Sequence, residues 1–180
     1  MRSKTTMEGN FCYRYPHPAV TTDCVVFGYD GLRLNVLLIE RGNEPYKGCW
    51  AFPGGFLNID EDAPEGARRE LLEETGLKVS NIEQLGAFAT PDRDPRERVI
   101  SIAFFTLTRV QEVQGGDDAN VAKWFPINQL PDLAFDHQEM FNMALKRLSD
   151  YLKLKTGNFF SGDFSYEEID MIYFATLSKR

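Results

Sequence analysis

The sequence predicts one α/β domain, and three observations support that fold class. Strand-like apolar runs recur along the chain, and two stretches with helical periodicity lie among them. The chain has 180 residues, 43% of them hydrophobic, which is enough to bury one core of ordinary size. No internal repeat or low-complexity tract divides it further. We therefore expect a main domain over residues 19–156, preceded by an irregular arm at 1–18 and followed by a tail at 157–180.

The main domain is predicted to begin with a β-hairpin. Strand-like runs cover Val20–Phe27 and Asn35–Arg41, and Tyr29-Asp30-Gly31 between them is a hairpin-turn signal. A proline at 16 and another at 18 favour extended or turn backbone in the arm before the first strand. The arm is therefore expected to be irregular.

A helix with clear end signals is predicted from about Ala63 to Thr75. Asp62 is suited to the N-cap, and Glu65 three residues later completes a capping box. Gly76 is expected to end the helix, since glycine adopts the left-handed conformation common after a last turn.

The second half is predicted to contain further strands, a long helix and a short terminal helix. Residues 157–162 are expected to break the chain before the terminal helix, whose apolar side must pack on the domain body, on a second subunit or on an absent neighbour. These elements are strands at Gln84–Ala89, Val99–Leu107 and Ala122–Phe125, a helix at roughly His137–Lys153, and a helix opened by a capping box at Ser165 and Glu168 with Ile169, Ile172, Tyr173 and Leu177 on one side.

Composition limits the functions that this chain can have. It carries 20 basic and 27 acidic residues, a formal charge of −7, which argues against nucleic acid as a partner. No apolar run approaches the roughly 20 residues of a membrane helix, and no secretory signal opens the chain, so we expect a cytoplasmic protein without a membrane partner. With 3 cysteines and 2 histidines, widely spaced, the chemistry is expected to come from carboxylates.

Three glutamates share one face of the first predicted helix. Glu70, Glu73 and Glu74 stand at i, i+3 and i+4, and Gly66 one turn earlier is expected to leave space beside Glu70. Such a cluster repels itself, and a hard divalent cation, Mg²⁺ or Mn²⁺, would relieve the repulsion. The alternative is a solvated helix face on which Arg69 pairs with Glu73.

A longer pattern around this helix favours the metal site. The segment from Gly55 to Leu77 matches G-x5-E-x7-R-E-U-x-E-E-x-G-U, where U is aliphatic, at all nine fixed positions over 23 residues. This is the Nudix box, and the chain resembles the Nudix hydrolase superfamily, which includes MutT-like proteins. The resemblance implies an α/β/α sandwich with a mixed central sheet, in which the box forms a loop–helix–loop. It also implies hydrolysis of a nucleoside diphosphate linked to another moiety.

The resemblance assigns roles to the residues of the box. Members of the superfamily bind activating Mg²⁺ through the box glutamates, here Glu70, Glu73 and Glu74. Arg69 is expected to orient a carboxylate through a fork-shaped contact. Gly55 and Gly76 are expected to serve backbone geometry, and Glu61 to support the loop or act as an outer ligand.

The catalytic base stays open at this point. The resemblance allows a box glutamate, here Glu73 or Glu74, to remove a proton from the attacking water. It also allows an acidic residue on a distant loop, and Asp117 and Asp118 follow two glycines before a predicted strand. An ordinary solvated turn is the alternative interpretation of those two aspartates.

A second segment points to the substrate. Residues 90–100 resemble a segment of ADP-ribose-type Nudix enzymes, which carry a proline some fifteen residues beyond the box; Pro91 is 91 − 76 = 15 positions past Gly76. Arg93, Arg96 and Arg98 concentrate positive charge where an anionic ligand is expected. The alternative is a charged surface loop balanced by its own acidic residues. ADP-ribose, a nucleotide sugar cleaved to AMP and ribose 5-phosphate, is the favoured substrate, and the aromatic residues Tyr46, Phe52, Phe56 and Phe88 are candidates for stacking on adenine.

A function from another class also fits the sequence. Segments at Tyr15–Pro18, Asp94–Arg96 and Phe164–Glu168 resemble those of Nudix-derived transcriptional regulators, in which the Nudix domain senses an effector and a winged helix binds DNA. The tail from Phe164 to Leu177 is similar to the first helix of that module, but the sequence ends at Arg180, before a recognition helix. An intact box favours the hydrolase, because a pure sensor has no need of a repulsive carboxylate cluster. Family resemblance also predicts a homodimer.

Overall fold

The computed structural model describes residues 14–116, 119–154 and 160–178. Within them it contains eight strands and three helices. The strands are β1 (Ala19–Tyr29), β2 (Leu34–Arg41), β3 (Trp50–Ala51), β4 (Gly54–Phe56), β5 (Glu83–Phe88), β6 (Val99–Arg109), β7 (Ala119–Pro126) and β8 (Phe160–Ser161), and the helices are α1 (Ala63–Thr75), α2 (His137–Leu154) and α3 (Tyr166–Leu177).

All eight strands join one mixed sheet. Its main path is β3-β2-β1-β6-β5, while β4 pairs with β1, β7 with β2 and β8 with β6. β1 and β6 run parallel from the Ala19–Val99 pair to the Tyr29–Arg109 pair, and β8 is also parallel to β6. The pairs of β1 with β2 and of β2 with β7 are antiparallel. The mixed sheet predicted from the family resemblance is therefore confirmed.

Helices cover both faces of this sheet. Because strand side chains alternate, Cys24 and Val26 of β1 pack in a cluster with Leu71 of α1, on one face. Val25 and Phe27 face the opposite way, into a cluster that includes α2. The central strands are apolar on both sides for this reason. The α/β/α sandwich is confirmed.

The box helix has the predicted ends. α1 runs over Ala63–Thr75, Asp62 and Glu65 form a reciprocal capping box, and Gly76 follows with φ of 71°. A residue with a β-carbon would be strained at that angle, which explains the glycine. This loop–helix–loop is held at the sheet by Leu71, whose side chain is fully buried.

The other elements agree with the sequence within three residues at each end, with three omissions. β3, β4 and β8 have two or three residues each and are defined by the strands beside them, not by their own patterns. The predicted break at 157–162 thus contains β8. Tyr29, predicted in the hairpin turn, belongs to β1. Of the predicted arm, residues 1–13 lie outside the described part of the chain.

The terminal helix packs on the body of the domain. Ile172 of α3 is fully buried in the cluster that contains α2. Arg109 of β6 donates to both carboxylate oxygens of Glu168, at 2.6 and 2.7 Å, which fixes the start of α3 beside the sheet. The sequence left three possible packing partners for the apolar side of this helix. In the structure that side packs on the body of its own domain. No helix in the described ranges has the length and apolar character needed to cross a membrane.

Removing the Ile172 side chain should loosen α3 and destabilise the domain. We expect Ile172→Ala to lower the free energy of unfolding by about 2–4 kcal/mol, because it empties a buried site. Leu32→Ala is the matched control, since Leu32 has the same number of carbon atoms and is 89% exposed on the hairpin turn. Equal losses for the two variants in denaturant unfolding would show that α3 does not pack as described.

Candidate active site

Arg69 holds the carboxylates of the box together. Its Nε and Nη2 donate to the two oxygens of Glu61, at 2.9 and 2.5 Å. Nη1 donates to Glu70 at 2.6 Å and to Glu73 at 3.1 Å, and Nη2 also reaches the carbonyl of Phe56 at 3.1 Å. One guanidinium therefore connects β4, the loop before the helix and two turns of α1.

Glu61 is the carboxylate most strongly stabilised by this contact. The fork-shaped hydrogen bonds from Arg69 lower the pKa of Glu61 to about 2 and raise the pKa of Arg69. The Asn58 N–H also donates to Glu61 Oε1, at 2.8 Å. Glu61 thus links the chain before α1 to the helix.

Gly55 is required by the position of Glu70. A β-carbon at Gly55 would lie 2.5 Å from the carboxyl carbon of Glu70, which is inside van der Waals contact. The Glu70 carboxylate consequently lies directly over β4. Burial there raises the pKa of Glu70, while the hydrogen bond from Arg69 opposes that rise.

Glu74 is the most buried of the three helix carboxylates, with 5% exposure. Its Oε2 accepts the N–H of Gly54 at 2.8 Å. Burial raises the pKa of Glu74 to about 8, and the charges of Glu70 and Asp23 act in the same direction. A cation close to this carboxylate would favour its ionised form.

The three helix glutamates lie side by side without converging. Two of them are engaged by Arg69, and the third by Gly54. In the described part of the chain, no three Asp, Glu, His or Cys side chains form a group close enough to hold a metal ion. A β-carbon at Gly66 would lie 2.7 Å from Leu57 and 3.1 Å from a Glu61 oxygen, so this glycine makes room for the loop before α1.

A cleft opens next to the box, where β1 starts and β2 ends. Glu74 contributes the box side of this cleft, and Gly55 brings Glu70 to its edge. Side chains from β1, β2, the 93–96 loop and the start of α2 complete it. Its lining includes Asp23, Arg41, Gly54, Glu74, Arg96 and His137.

Two of the three predicted substrate-binding arginines line this cleft, and both have carboxylate partners. Arg93 donates from Nε and Nη2 to Asp136, at 2.8 and 2.6 Å. Arg96 donates from the same two nitrogens to Asp94, at 3.0 and 2.7 Å, and lies 5.2 Å over the ring of Phe56. Arg93 and Arg96 thus lie in the cleft, and each already directs two guanidinium nitrogens at a carboxylate.

Arg98 lies elsewhere. Its guanidinium donates to the carbonyls of Ala89 at 2.8 Å and Thr90 at 3.3 Å, and it is absent from the cleft lining. In this structure the Arg98 side chain thus ties down the loop backbone outside the cleft, whereas Arg93 and Arg96 line it. The two candidate bases Asp117 and Asp118 lie outside the described residues.

The four aromatic residues predicted to stack on adenine differ in how exposed they are. Phe88 belongs to the core on the α2 face, and Phe52 is 1% exposed. Phe56 and Tyr46 are 44% and 41% exposed, and Tyr46 contacts the ring of Phe135 edge-on at 4.7 Å. Of these four residues, Phe56 both lines the cleft and has an exposed ring, while Phe52 lines it from a buried position. Tyr46 reaches the cleft only through Phe135, which is part of the lining.

His137 and Asp23 form a buried polar pair that sequence reasoning missed. The Phe52 N–H donates to His137 Nδ1 at 2.9 Å, so the ring proton is on Nε2, which lies 3.6 Å from Asp23. Ser101 donates to the other Asp23 oxygen. Burial lowers the pKa of His137 and keeps its ring neutral. The sequence signal that could have identified this pair was Asp23, an acidic residue inside the largely apolar strand β1.

Arg41 is the second residue that the sequence did not single out. It ends β2 on the same face as Leu37 and Ile39, which is the face of α1. Nε donates to the Pro45 carbonyl at 2.8 Å, and the guanidinium lies 4.9 Å over the ring of Phe135. Burial and the charge of Arg96 lower the pKa of Arg41. The sequence signal that could have identified Arg41 was a basic residue at the end of an apolar strand.

Comparison with known protein families identifies the family of this chain. The model of the NUDIX domain matches residues 17–144, which is more than half of the chain. An ADP-ribose pyrophosphatase of Methanocaldococcus jannaschii is 43% identical over 145 residues, covering 79% of this chain and 78% of that protein. The chain belongs to the Nudix family.

A second relative is a regulator. The ADPR responsive transcriptional repressor NtrR of Acinetobacter baylyi is 35% identical over 144 residues, covering 76% of this chain. The match extends over 56% of the repressor, so this chain aligns with little more than half of that protein.

Solved structures show the same fold. A MutT/nudix family protein from Enterococcus faecalis superposes with a TM-score of 0.81 at 30% identity, covering 93% of this chain and 76% of that one. The NUDIX domain of Shewanella oneidensis NrtR complexed with ADP ribose gives 0.70 at 33% identity, covering 77% and 94%.

Glu61 should stabilise the fold in a pH-dependent way. Its pKa is lowered from 4.5 to about 2 in the folded chain, so its stabilisation is complete above about pH 5.5 and is lost as the pH falls from 4.5 towards 2. We expect Glu61→Gln to cost about 1–2 kcal/mol at pH 7, with a smaller difference from wild type at pH 3.5.

Denaturant unfolding at several pH values measures this difference. Glu112→Gln, at an exposed position, is the control and should leave stability nearly unchanged. A Glu61→Gln cost that stays constant down to pH 3 would contradict the ion pair with Arg69.

Proposed function

We propose that this chain is a Mg²⁺-dependent Nudix pyrophosphohydrolase that cleaves ADP-ribose to AMP and ribose 5-phosphate. The observation that carries the proposal is the cleft, in which the buried Glu74 carboxylate of the box faces a group of arginines. Likeness to an ADP-ribose pyrophosphatase over most of both chains supports the substrate.

The donor chemistry of the box fits a hard divalent cation. Glu70, Glu73 and Glu74 provide carboxylate oxygens, which Mg²⁺ and Mn²⁺ prefer. Burial disfavours the charge of Glu74, and a bound cation would compensate that cost. We assign these three residues as the ligands, with Mg²⁺ as the metal. When bound, the cation neutralises diphosphate oxygens and lowers the pKa of a coordinated water.

The other residues of the box keep the carboxylates in place. Arg69 neutralises part of the charge on Glu70 and Glu73 and prevents them from turning away from β4. Glu61 and Gly55 hold this arrangement from the loop side. Within the box, Glu73, with a side chain 40% exposed, and the buried Glu74 are the candidates to accept a proton from the attacking water.

The cleft beside the box accommodates the rest of the substrate. Arg93 and Arg96 line it with cationic side chains that their carboxylate partners hold in fixed positions. Phe56 and Phe135 line it with aromatic rings that can contact a base or a sugar, and Tyr46 packs edge-on against Phe135 from outside. These features support a ligand that combines negative charge with a flat ring.

The alternative function, an effector-sensing domain, is less well supported. It rests on the repressor from Acinetobacter baylyi and on the ADP ribose complex of the Shewanella oneidensis NUDIX domain. Both proteins share this fold, and binding of ADP-ribose is common to both functions. The complete box, from Gly55 to Leu77, favours hydrolysis over sensing alone.

Replacing Glu74 should abolish turnover and keep the fold. We expect Glu74→Gln to lower kcat for ADP-ribose with Mg²⁺ by about 100-fold or more, since a carboxylate that binds metal or accepts a proton is lost. The Gln oxygen can still accept the Gly54 N–H, so the helix should stay in place. AMP release, followed chromatographically, measures the effect.

Two comparisons make this experiment decisive. Glu139→Gln, exposed on α2, should retain wild-type turnover, and chelation of the metal should stop it in both proteins. Wild-type protein that binds ADP-ribose without releasing AMP would overturn the hydrolase and favour the sensor.

We also propose that the chain forms a homodimer. Tyr166, Met171 and Phe174 of α3 are 71%, 50% and 64% exposed, and such apolar surface favours association. Size-exclusion chromatography with light scattering should give twice the chain mass of 20.6 kDa. A peak at the mass of one chain would contradict the dimer.

A further inference from the structure

The arginines that line the cleft differ in what they already bind. Arg93 and Arg96 each direct two nitrogens at a carboxylate, Asp136 and Asp94 respectively. Among the described residues, no carboxylate lies within the 4.0 Å ion-pair distance of Arg41. Arg41 is thus the cleft cation whose charge is not matched by a contacting partner in the described chain.

Arg41 is nevertheless held in a defined orientation. Its backbone is tied to the loop at both ends, since its N–H donates to Cys49 at 2.9 Å and its carbonyl accepts from Gly48 at 2.8 Å. Its Nε donates to the Pro45 carbonyl, and the Phe135 ring supports one face of the guanidinium. Within the described residues, neither terminal nitrogen donates a hydrogen bond. Those two nitrogens are available for an acceptor in the cleft.

A half-buried guanidinium with two available donors is suited to oxyanions. Arginine binds phosphate through paired N–H groups, and an orientation fixed in advance lowers the entropy lost on binding. Glu74, Asp94 and Asp23 act on Arg41 at longer range and favour its charged state, while Arg96 opposes it. The guanidinium therefore stays charged without being neutralised by direct contact.

We propose that Arg41 is the phosphate-binding residue of the cleft and that its terminal nitrogens donate to non-bridging oxygens of the substrate diphosphate. This deepens the proposed function and rests on it for the identity of the substrate. Arg93 and Arg96 then shape the cleft, because their donors are used by Asp136 and Asp94. Arg98, which faces backbone carbonyls, has no part in binding.

Binding of inorganic diphosphate to metal-free protein tests the assignment. Calorimetry in low salt with a chelator present should show Arg41→Met binding diphosphate about 10- to 100-fold more weakly than wild type, the loss expected for a charge-assisted contact. Arg41→Lys keeps the charge without the fork and should fall between the two. Arg98→Met is the matched control and should bind within twofold of wild type.

The kinetic consequence separates a binding role from a structural one. In Arg41→Met, KM for ADP-ribose should rise by a factor similar to the loss in diphosphate affinity, and raised salt should weaken wild type more than this variant. A merely unfolded fraction would lower the apparent kcat and leave KM and the salt dependence unchanged. Arg41→Gln, which keeps a donor but no charge, should behave as Arg41→Met does.

Failure of this proposal is distinguishable from failure of the proposed function. Wild-type protein that hydrolyses ADP-ribose, with Arg41→Met binding diphosphate as tightly as wild type, would overturn the role of Arg41 alone. Equal losses in Arg41→Met and Arg98→Met, or no diphosphate binding by wild type, would overturn it as well. Wild-type protein that binds diphosphate through Arg41 without hydrolysing ADP-ribose would overturn the proposed reaction and support the phosphate site.

Discussion

The hydrogen bonds of Arg69 are the interaction on which the site depends. They hold Glu61, Glu70 and Glu73 together against the mutual repulsion of their charges. A carboxylate cluster on one helix face would otherwise spread into solvent, because each side chain gains hydration by turning outwards. The same guanidinium also contacts the backbone of β4 at Phe56. The arginine and glutamates of the box therefore form one structural unit that fixes α1 to the edge of the cleft.

The sheet decides which side chains meet that unit. Arg41 shares the α1 face with Leu37 and Ile39, whereas Asp23 alternates with Cys24 and points to the face of α2. Residues from opposite faces reach one cleft because β4 between them is short and begins with two glycines. At Gly54 a β-carbon would collide with the β1 backbone and with Asp23. The missing side chain lets β4 lie close against β1, where the Gly54 N–H donates to the Glu74 carboxylate.

Features of the fold and the site that depend on neighbouring residues could be predicted from the sequence. Features that depend on contacts between distant parts of the chain could not. The ends of α1 could be predicted because Asp62, Glu65 and Gly76 act within a few residues of the helix they bound. β8 could not be, since two residues become a strand only through pairing with β6. Arg98 resembles Arg93 and Arg96 in sequence, and only the path of the loop turns it towards backbone carbonyls. His137 was discounted for lack of a neighbour, and its partner Asp23 lies more than a hundred positions away in the chain.

The charges of the cleft are arranged in two groups with different physical consequences. The forks of Arg93 and Arg96 are matched by carboxylates, and such pairs define geometry while adding little net charge. Glu74 and Arg41 have no such partner among the described side chains, and burial acts against the charge of each. A diphosphate carrying a divalent cation would present both complements at once, with oxygens for Arg41 and a metal for Glu74. Neither an uncharged sugar nor a bare cation would satisfy both residues, and this difference is the electrostatic argument for the proposed metal-bound diphosphate.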